Sequence, residues 1–175
     1  MANKQALRDL QARLAQRLQE ARTAERPAGW LAVECAGQGF LLPLAEAGEI
    51  FQDAEVAPVP HTATWFAGVA NLRGVLTGVA DLAGFLGLTQ RPAAEVEGSR
   101  LVAFNPALDV NAALLIDRLA GLRNAEQLSI AADVDPALPG FAGRRLRDDA
   151  GRVWQELRLA LLARDERFLN IVAED

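Results

Sequence analysis

The sequence predicts a mainly β fold, an all-β barrel or sandwich preceded by one helix at the N-terminus. Three observations lead to this prediction: short apolar runs, frequent Gly and Pro between them, and a single long amphipathic stretch. Strand-like runs do not alternate with helical patterns of about 10 to 15 residues, so a doubly wound parallel sheet is not expected. At 175 residues, the chain has the length of one domain with a substantial core.

The helical pattern lies near the N-terminus. Between residues 5 and 23, leucines recur every three or four positions with charged and polar residues between them: Leu7, Leu10, Leu14 and Leu18. Pro27 and Gly29 end the pattern. Such a stripe must be buried, either on the rest of the chain or on a partner, and the sequence leaves both alternatives open. We expect an amphipathic helical extension over residues 1–27 and a separate domain over residues 28–175.

Two β-hairpins are predicted from apolar runs that a turn interrupts. Residues 30–35 alternate between apolar and polar side chains, residues 37–39 (Gly-Gln-Gly) indicate a tight turn, and residues 40–44 indicate the returning strand. The second hairpin is expected from strands at residues 100–104 and 112–119.

Other segments carry weaker signals. Residues 65–88 are dense with small and apolar side chains, and Val75 and Leu76 are among the predicted core residues. Residues 124–151 contain several Gly and Pro residues and are predicted to be loop-like. Residues 168–172 are expected to close the chain as a short strand or an extended tail.

The composition argues against a nucleic-acid binder and against an enzyme with an activated nucleophile. The net charge is −5, and no run of Lys or Arg provides a basic face. The one histidine, His61, follows a proline in a loop, and the one cysteine, Cys35, alternates with apolar residues as a buried side chain would. One His and one Cys do not make a tetrahedral zinc site, and no cofactor-binding fingerprint is present. We therefore predict no catalytic residue, no metal and no cofactor.

A carboxylate-based enzyme is the alternative from another functional class. Asp133 and Asp135 are close in sequence, but Pro136 follows and no phosphate-binding loop lies nearby. These two residues are more typical of a turn.

The sequence also predicts where the protein works. With a single cysteine no disulfide forms within the chain, and the polar N-terminus lacks the apolar region of a secretory signal. No apolar run reaches the length of a membrane-spanning helix. We expect a cytoplasmic protein without direct membrane insertion.

The most distinctive stretch is residues 59–82, in which a Pro-containing loop leads to an aromatic residue, Gly-Val, Asn-Leu-Arg-Gly and an apolar strand ending in Asp-Leu. This order resembles the signature of the CheW family of chemosensory coupling proteins. The matching positions are Pro60, Trp65, Gly68, Val69, Asn71, Leu72, Arg73, Gly74, Asp81 and Leu82. The resemblance extends over residues 30–162. It departs from the family pattern at Gly78, where a Pro is common, and at Arg158, where an Asp is common.

The resemblance implies the fold in more detail. It predicts two SH3-like, five-stranded β-barrel subdomains that share a core, with short helices in addition. One subdomain would come from residues 40–89 and the other from residues 100–159, with strands exchanged at the ends. Together they would form a CheW-like domain over residues 28–175.

The resemblance also implies a function. Members of the family bind the cytoplasmic tip of a chemoreceptor and the regulatory domain of a CheA-type histidine kinase, and they hold both in a membrane-associated array without catalysing a reaction. The helical extension and the late Arg-Phe-Leu are similar to adaptors of type IV pilus chemosensory systems, which control twitching motility. A β-barrel scaffold of another assembly remains the alternative within the same functional class.

The resemblance and the residues themselves together assign roles to seven residues. The positions expected to contact a partner are Glu49, Gly68, Asn71, Arg73 and Gly74. Trp65 is expected to be a core residue and Asp81 to cap a short helix. From the residues alone, Arg73 suits a salt bridge that orders its loop as well as a receptor contact, and Glu49 suits a solvated strand edge.

Overall fold

The computed structural model describes residues 29–89 and 100–173, together with Arg13. Residues 29–89 and 100–173 form twelve β-strands and three short α-helices. The strands are β1 (Gly29–Cys35), β2 (Gln38–Pro43), β3 (Ala47–Gln52), β4 (Val56–Ala57), β5 (Phe66–Leu72), β6 (Val75–Asp81), β7 (Arg100–Phe104), β8 (Ala112–Ile116), β9 (Arg118–Asn124), β10 (Leu128–Ala132), β11 (Ala142–Asp148) and β12 (Val153–Leu157). The helices are α1 (Leu82–Phe85), α2 (Leu159–Leu162) and α3 (Glu166–Leu169).

These strands form two sheets, each with six strands among the described residues. The first sheet has the order β10-β11-β12-β2-β1-β9 and the second has the order β3-β7-β8-β6-β5-β4. Most neighbours are antiparallel, but β12 pairs with β2 and β6 pairs with β8 in parallel. The mainly β prediction is confirmed, and each sheet has one strand more than the five expected for each barrel.

Neither sheet is built from one continuous segment of the chain. Strands β1 and β2 join the sheet of β9 to β12, whereas β7 and β8 join the sheet of β3 to β6. Each sheet therefore contains strands from both halves of the chain. The parallel β6–β8 and β12–β2 contacts join distant segments, and no local sequence pattern indicates such pairings.

The buried side chains form three clusters, one within each sheet and one that joins the two sheets. The cluster of the first sheet contains the buried side chains Trp154, Leu41 and Leu146. The cluster of the second sheet contains Leu72 and Leu101. The third and largest cluster contains residues from both sheets and from all three helices. A core shared by two halves is thus confirmed.

An aromatic cluster lies within the shared core, around the C-terminal helix. The ring of Phe168 stacks on Trp65 and Phe104, with centroids 5.9 and 5.6 Å apart, and contacts the edge of Phe85 at 5.4 Å. Helix α3 begins at Asp165, whose side chain accepts hydrogen bonds from two backbone N–H groups of the first turn. The helix thereby anchors the end of the chain between the two sheets.

Two segment predictions differ from the structure, and a third falls outside the described residues. Residues 124–151, predicted to be loop-like, contain β10 and β11, because Gly and Pro cluster in the connection between them and not along the whole segment. Residues 168–172 begin in helix α3 and end at a β-bridge between Thr62 and Val172, instead of forming a strand throughout. The predicted helix at residues 5–23 lies outside the described residues, Arg13 excepted. No helix within the described part of the chain has the length and hydrophobicity to cross a membrane.

Candidate partner-binding surface

The Asn-Leu-Arg-Gly segment forms a tight turn between β5 and β6. Leu72 pairs with Val75, so the loop has only two residues, Arg73 and Gly74. Both have positive φ angles, 52° and 85°, as a type I′ turn requires. The side chain of Asn71 accepts a hydrogen bond of 2.7 Å from the Gly74 N–H. Asn71 and Gly74 therefore fix the backbone that presents the Arg73 side chain.

Arg73 pairs across the barrel with Glu49 of β3. The Arg73 Nη2 and Glu49 Oε1 atoms are 2.5 Å apart, and the two side chains are 76% and 44% exposed. In the sheet order, β7 and β8 separate β3 from β6, so this contact requires the sheet to curl on itself. An ion pair this exposed contributes only about 0 to 1 kcal/mol to stability. Because both side chains are exposed, both charged groups are accessible to a partner.

Two apolar side chains lie beside this ion pair. Val75 and Leu76 follow the turn and are 48% and 68% exposed, although the sequence predicted both as core residues. Along β6, side chains are buried only from Thr77 onwards, so the end of the strand next to the turn lies outside the core. We call Glu49, Asn71, Arg73, Gly74 and Leu76 the turn surface.

An apolar groove of about 290 Å³ continues from the turn surface towards the C-terminus. Leu76, Phe66 and Val69 line one side, and Val110 and Leu169 line the other. No local sequence pattern predicted this groove, because it combines side chains that are distant along the chain.

Gly68 has a different role from the one expected. It is buried on β5, where an added Cβ would lie 2.1 Å from the carbonyl oxygen of Ala57. Its φ of 138° also disfavours other residues. Gly68 therefore permits close packing of β4 on β5 and offers no accessible surface to a partner.

The two residues expected to be structural are both in the shared core region. Trp65 is half-buried and contacts the rings of Phe85 and Phe168. Asp81 is buried at the N-cap position of α1, but its side chain makes no capping hydrogen bond there. The backbone N–H of Asp81 instead donates to the carbonyl oxygen of Trp65, which ties α1 to the start of β5.

The residues considered for catalysis or metal binding have separate surroundings. Cys35 is fully buried, and His61 is exposed in a loop. Asp133 lies 3.5 Å from Arg144, and Asp135 accepts a hydrogen bond from the backbone N–H of Ala137 in a turn. No group of three or more His, Cys, Asp or Glu side chains within the described residues is arranged to hold a metal ion.

A second charged cluster lies at the β1–β2 hairpin. The Glu34 carboxylate, only 13% exposed, pairs with Arg118 of β9 at 2.6 Å and with Arg152 next to β12. The hydrogen bond from Arg152, followed by that from Arg118, holds the pKa of Glu34 below its ordinary value despite the opposing effect of burial. The Arg152 guanidinium also lies 4.4 Å from the ring centroid of Trp154. The sequence did not predict this cluster.

Comparison with known proteins agrees with this architecture. The sequence model of the CheW-like domain matches residues 29–167. The chain belongs to the CheW-like domain family. Proteins of this family are non-enzymatic scaffolds of chemosensory signalling, so the chain acts by binding and not by catalysis.

Two individual proteins are similar to this CheW-like chain. Protein PilI of Pseudomonas aeruginosa is 31% identical over 142 residues, which cover 77% of this chain and 75% of PilI. The crystal structure of the scaffolding protein TtCheW from Thermoanaerobacter tengcongensis superimposes with a TM-score of 0.62 at 19% identity. That alignment covers 75% of this chain and 88% of TtCheW, and it supports the fold.

Proposed function

We propose that this CheW-like chain couples the cytoplasmic tip of a chemoreceptor to the regulatory domain of a CheA-type histidine kinase. Its similarity to PilI supports an output in type IV pilus chemosensing, and thus in twitching motility. The chain would work in the cytoplasm, recruited to membrane-associated receptor arrays through these two partners.

The observation that carries the proposal is the turn surface. Arg73 and Glu49 form an exposed ion pair that is held by a rigid turn and contributes little to folding. Leu76 adds an apolar side chain that is largely accessible to solvent. Charged groups beside an exposed apolar side chain, all on a fixed backbone, are typical of a protein-binding site.

The proposed mechanism needs binding alone. A partner approaching the turn surface competes for Arg73 or Glu49, and the existing pair sets the orientation of both side chains. Each contact can be weak, because an array presents many copies and the effective concentration of each partner is high. If the receptor tip has two states that contact the turn surface differently, the difference in binding free energy is passed to the kinase.

The proposal can be tested by photo-crosslinking in cells that produce the chain. A photoreactive amino acid replaces Leu76 beside the turn or, as the matched control, Ile130, which is 59% exposed on the other sheet. Crosslinked proteins are then identified by mass spectrometry. We expect the Leu76 position to capture a chemoreceptor or a CheA-type kinase, and to lose that product when Arg73→Ala is added. Recovery of neither protein from the Leu76 position would contradict the proposal.

A further inference from the structure

A second cleft, of about 530 Å³, lies between the two halves of the molecule on the side of the shared core. Residues of β2, β11 and β12 line it, together with the C-terminal end of α1 and Leu88. Arg167 of α3 closes one end. No residue of this cleft belongs to the turn surface, so the two surfaces are separate.

The cleft is rich in positive charge, although the chain as a whole carries a net charge of −5. Three guanidinium groups line it, those of Arg145, Arg152 and Arg167. The described residues that line it include no Asp or Glu. Because field lines concentrate in a concave surface, the cleft is a favourable place for an anionic group.

Two of these three arginines have no carboxylate partner within the described residues. Arg152 is already held by Glu34. The Arg145 Nε donates to the Gln155 Oε1 at 3.3 Å, and Arg167 Nη2 lies 3.4 Å from the carbonyl oxygen of Phe85. The Arg167 guanidinium also lies 5.2 Å from the centroid of the Phe85 ring, which fixes its position. Both side chains are oriented by neutral groups and keep donors for a further acceptor.

The walls of the cleft also offer apolar surface. Leu86, Leu88 and Leu138 line it and are only half-buried, and Val153 is 41% exposed. A small inorganic anion would leave this apolar surface in water. A ligand that carries both carboxylates and large apolar side chains would cover it and pair with the arginines.

We propose that this cleft binds an acidic segment of a partner protein in which Glu or Asp alternates with Leu, Ile or Phe. Its carboxylates pair with Arg145 and Arg167, since planar guanidinium groups match carboxylates through two parallel hydrogen bonds. Its apolar side chains pack against Leu86, Leu88 and Leu138. The cleft is then a second docking site, and its occupancy does not depend on what the turn surface binds.

The test uses the purified chain and a fluorescein-labelled synthetic peptide in which Glu alternates with Leu. Its affinity is measured by fluorescence anisotropy for the wild type, Arg145→Glu, Arg167→Glu and the control Arg144→Glu. Arg144 is the neighbour of Arg145 on β11, is exposed and lies outside this cleft. The Arg144→Glu substitution changes the net charge of the chain by the same amount as the two cleft substitutions. Two further probes are the same peptide with Gln in place of Glu, and inorganic phosphate as a competitor.

We expect each cleft variant to weaken binding by about tenfold, the effect of losing one well-placed charge pair, and Arg144→Glu to change it by less than about twofold. The Gln peptide should bind at least tenfold more weakly. Arg145→Glu decides the result if Arg167→Glu lowers the melting temperature, because the Arg145 side chain is exposed and its one side-chain hydrogen bond within the described residues is to Gln155. Equal losses in all three variants, equal affinity for the Gln peptide, or complete displacement by millimolar phosphate would overturn the proposal.

Discussion

The molecule contains two hairpins with the same backbone turn and opposite surroundings. In both the β1–β2 and β5–β6 hairpins, two residues connect the strands, the second residue is Gly, and both have positive φ. The first turn is Ala36-Gly37 and the second is Arg73-Gly74. The carboxylate beside the first is shielded from water, since Glu34 is 13% exposed and contacts two arginines. The charges of the second are a single exposed pair.

This difference distinguishes an ion pair that stabilises the fold from one that contributes little to it. A carboxylate removed from water must keep its partners, because an unpaired buried charge costs several kcal/mol. Glu34 therefore fixes β1 against β9 and β12. An exposed pair has no such constraint, and we propose that the turn presents it for contacts outside the domain. The comparison yields four expectations, in order of decreasing effect.

The largest effect is expected from adding a methyl group near each turn. In Gly39→Ala, the new Cβ would lie 2.6 Å from the buried Trp154 ring, whereas in Gly74→Ala it meets no atom within 4 Å. We expect a loss of about 3 kcal/mol for Gly39→Ala from overpacking, and about 1 kcal/mol for Gly74→Ala from its positive φ. Urea unfolding measures both. Equal losses in the free energy of unfolding would show that side-chain packing around Gly39 is no tighter than around Gly74.

Neutralising the two glutamates should give the next largest contrast. Glu34→Gln leaves Arg118 and Arg152 without their carboxylate, so we expect a loss of about 2 kcal/mol in the free energy of unfolding. Glu49→Gln removes only the exposed pair and should cost less than about 0.5 kcal/mol. The same unfolding measurement compares them, and a Glu49→Gln loss as large as that of Glu34→Gln would contradict the structural assignment.

The pH dependence of stability should depend on Glu34 and Asp148. The pKa of Asp148 is lowered mainly by the 2.9 Å hydrogen bond from Trp154 Nε1. The pKa of Glu34 is lowered mainly by the hydrogen bond from Arg152. Because both carboxyls have a lower pKa in the folded state, the unfolded chain takes up protons first. Their stabilisation is complete above pH 4.5, the ordinary pKa of a glutamate, and is lost as the pH falls through the folded values.

Unfolding at a series of pH values from 7 to 3 checks this expectation against Glu34→Gln. The variant should be less stable at neutral pH and should lose less stability on acidification, so that the two curves converge. Parallel curves would mean that Glu34 has the same pKa in both states.

The sequence predicted local features of this fold better than distant contacts. The β1–β2 hairpin follows from alternation and glycines, although its turn lies at Ala36-Gly37, one residue before the Gly-Gln-Gly centre. The loop-like prediction for residues 124–151 was wrong, because weak apolar patterns in β10 and β11 form strands only through their neighbours.

In the candidate site too, the local turn was predictable from the sequence and the distant contacts were not. The Asn-Leu-Arg-Gly motif indicated the turn, and Glu49 was named beside it, but no local rule joins Glu49 to Arg73. That contact depends on the curl of the second sheet. Leu76 was predicted as a core residue because hydrophobicity alone does not tell which end of a strand leaves the core. The cleft of Arg145 and Arg167 combines residues from distant elements, so no local pattern pointed to it.

Of the substitutions considered, Arg73→Ala should change the free energy of unfolding least and partner affinity most. The decisive measurement is the affinity of wild-type and Arg73→Ala protein for a CheA-type regulatory domain and for a chemoreceptor cytoplasmic fragment, with unfolding measured on the same samples. We expect Arg73→Ala to bind at least one partner about tenfold more weakly, while its free energy of unfolding changes by less than about 0.5 kcal/mol. Unchanged affinity for both partners would contradict the claim that the turn surface is a partner-binding site.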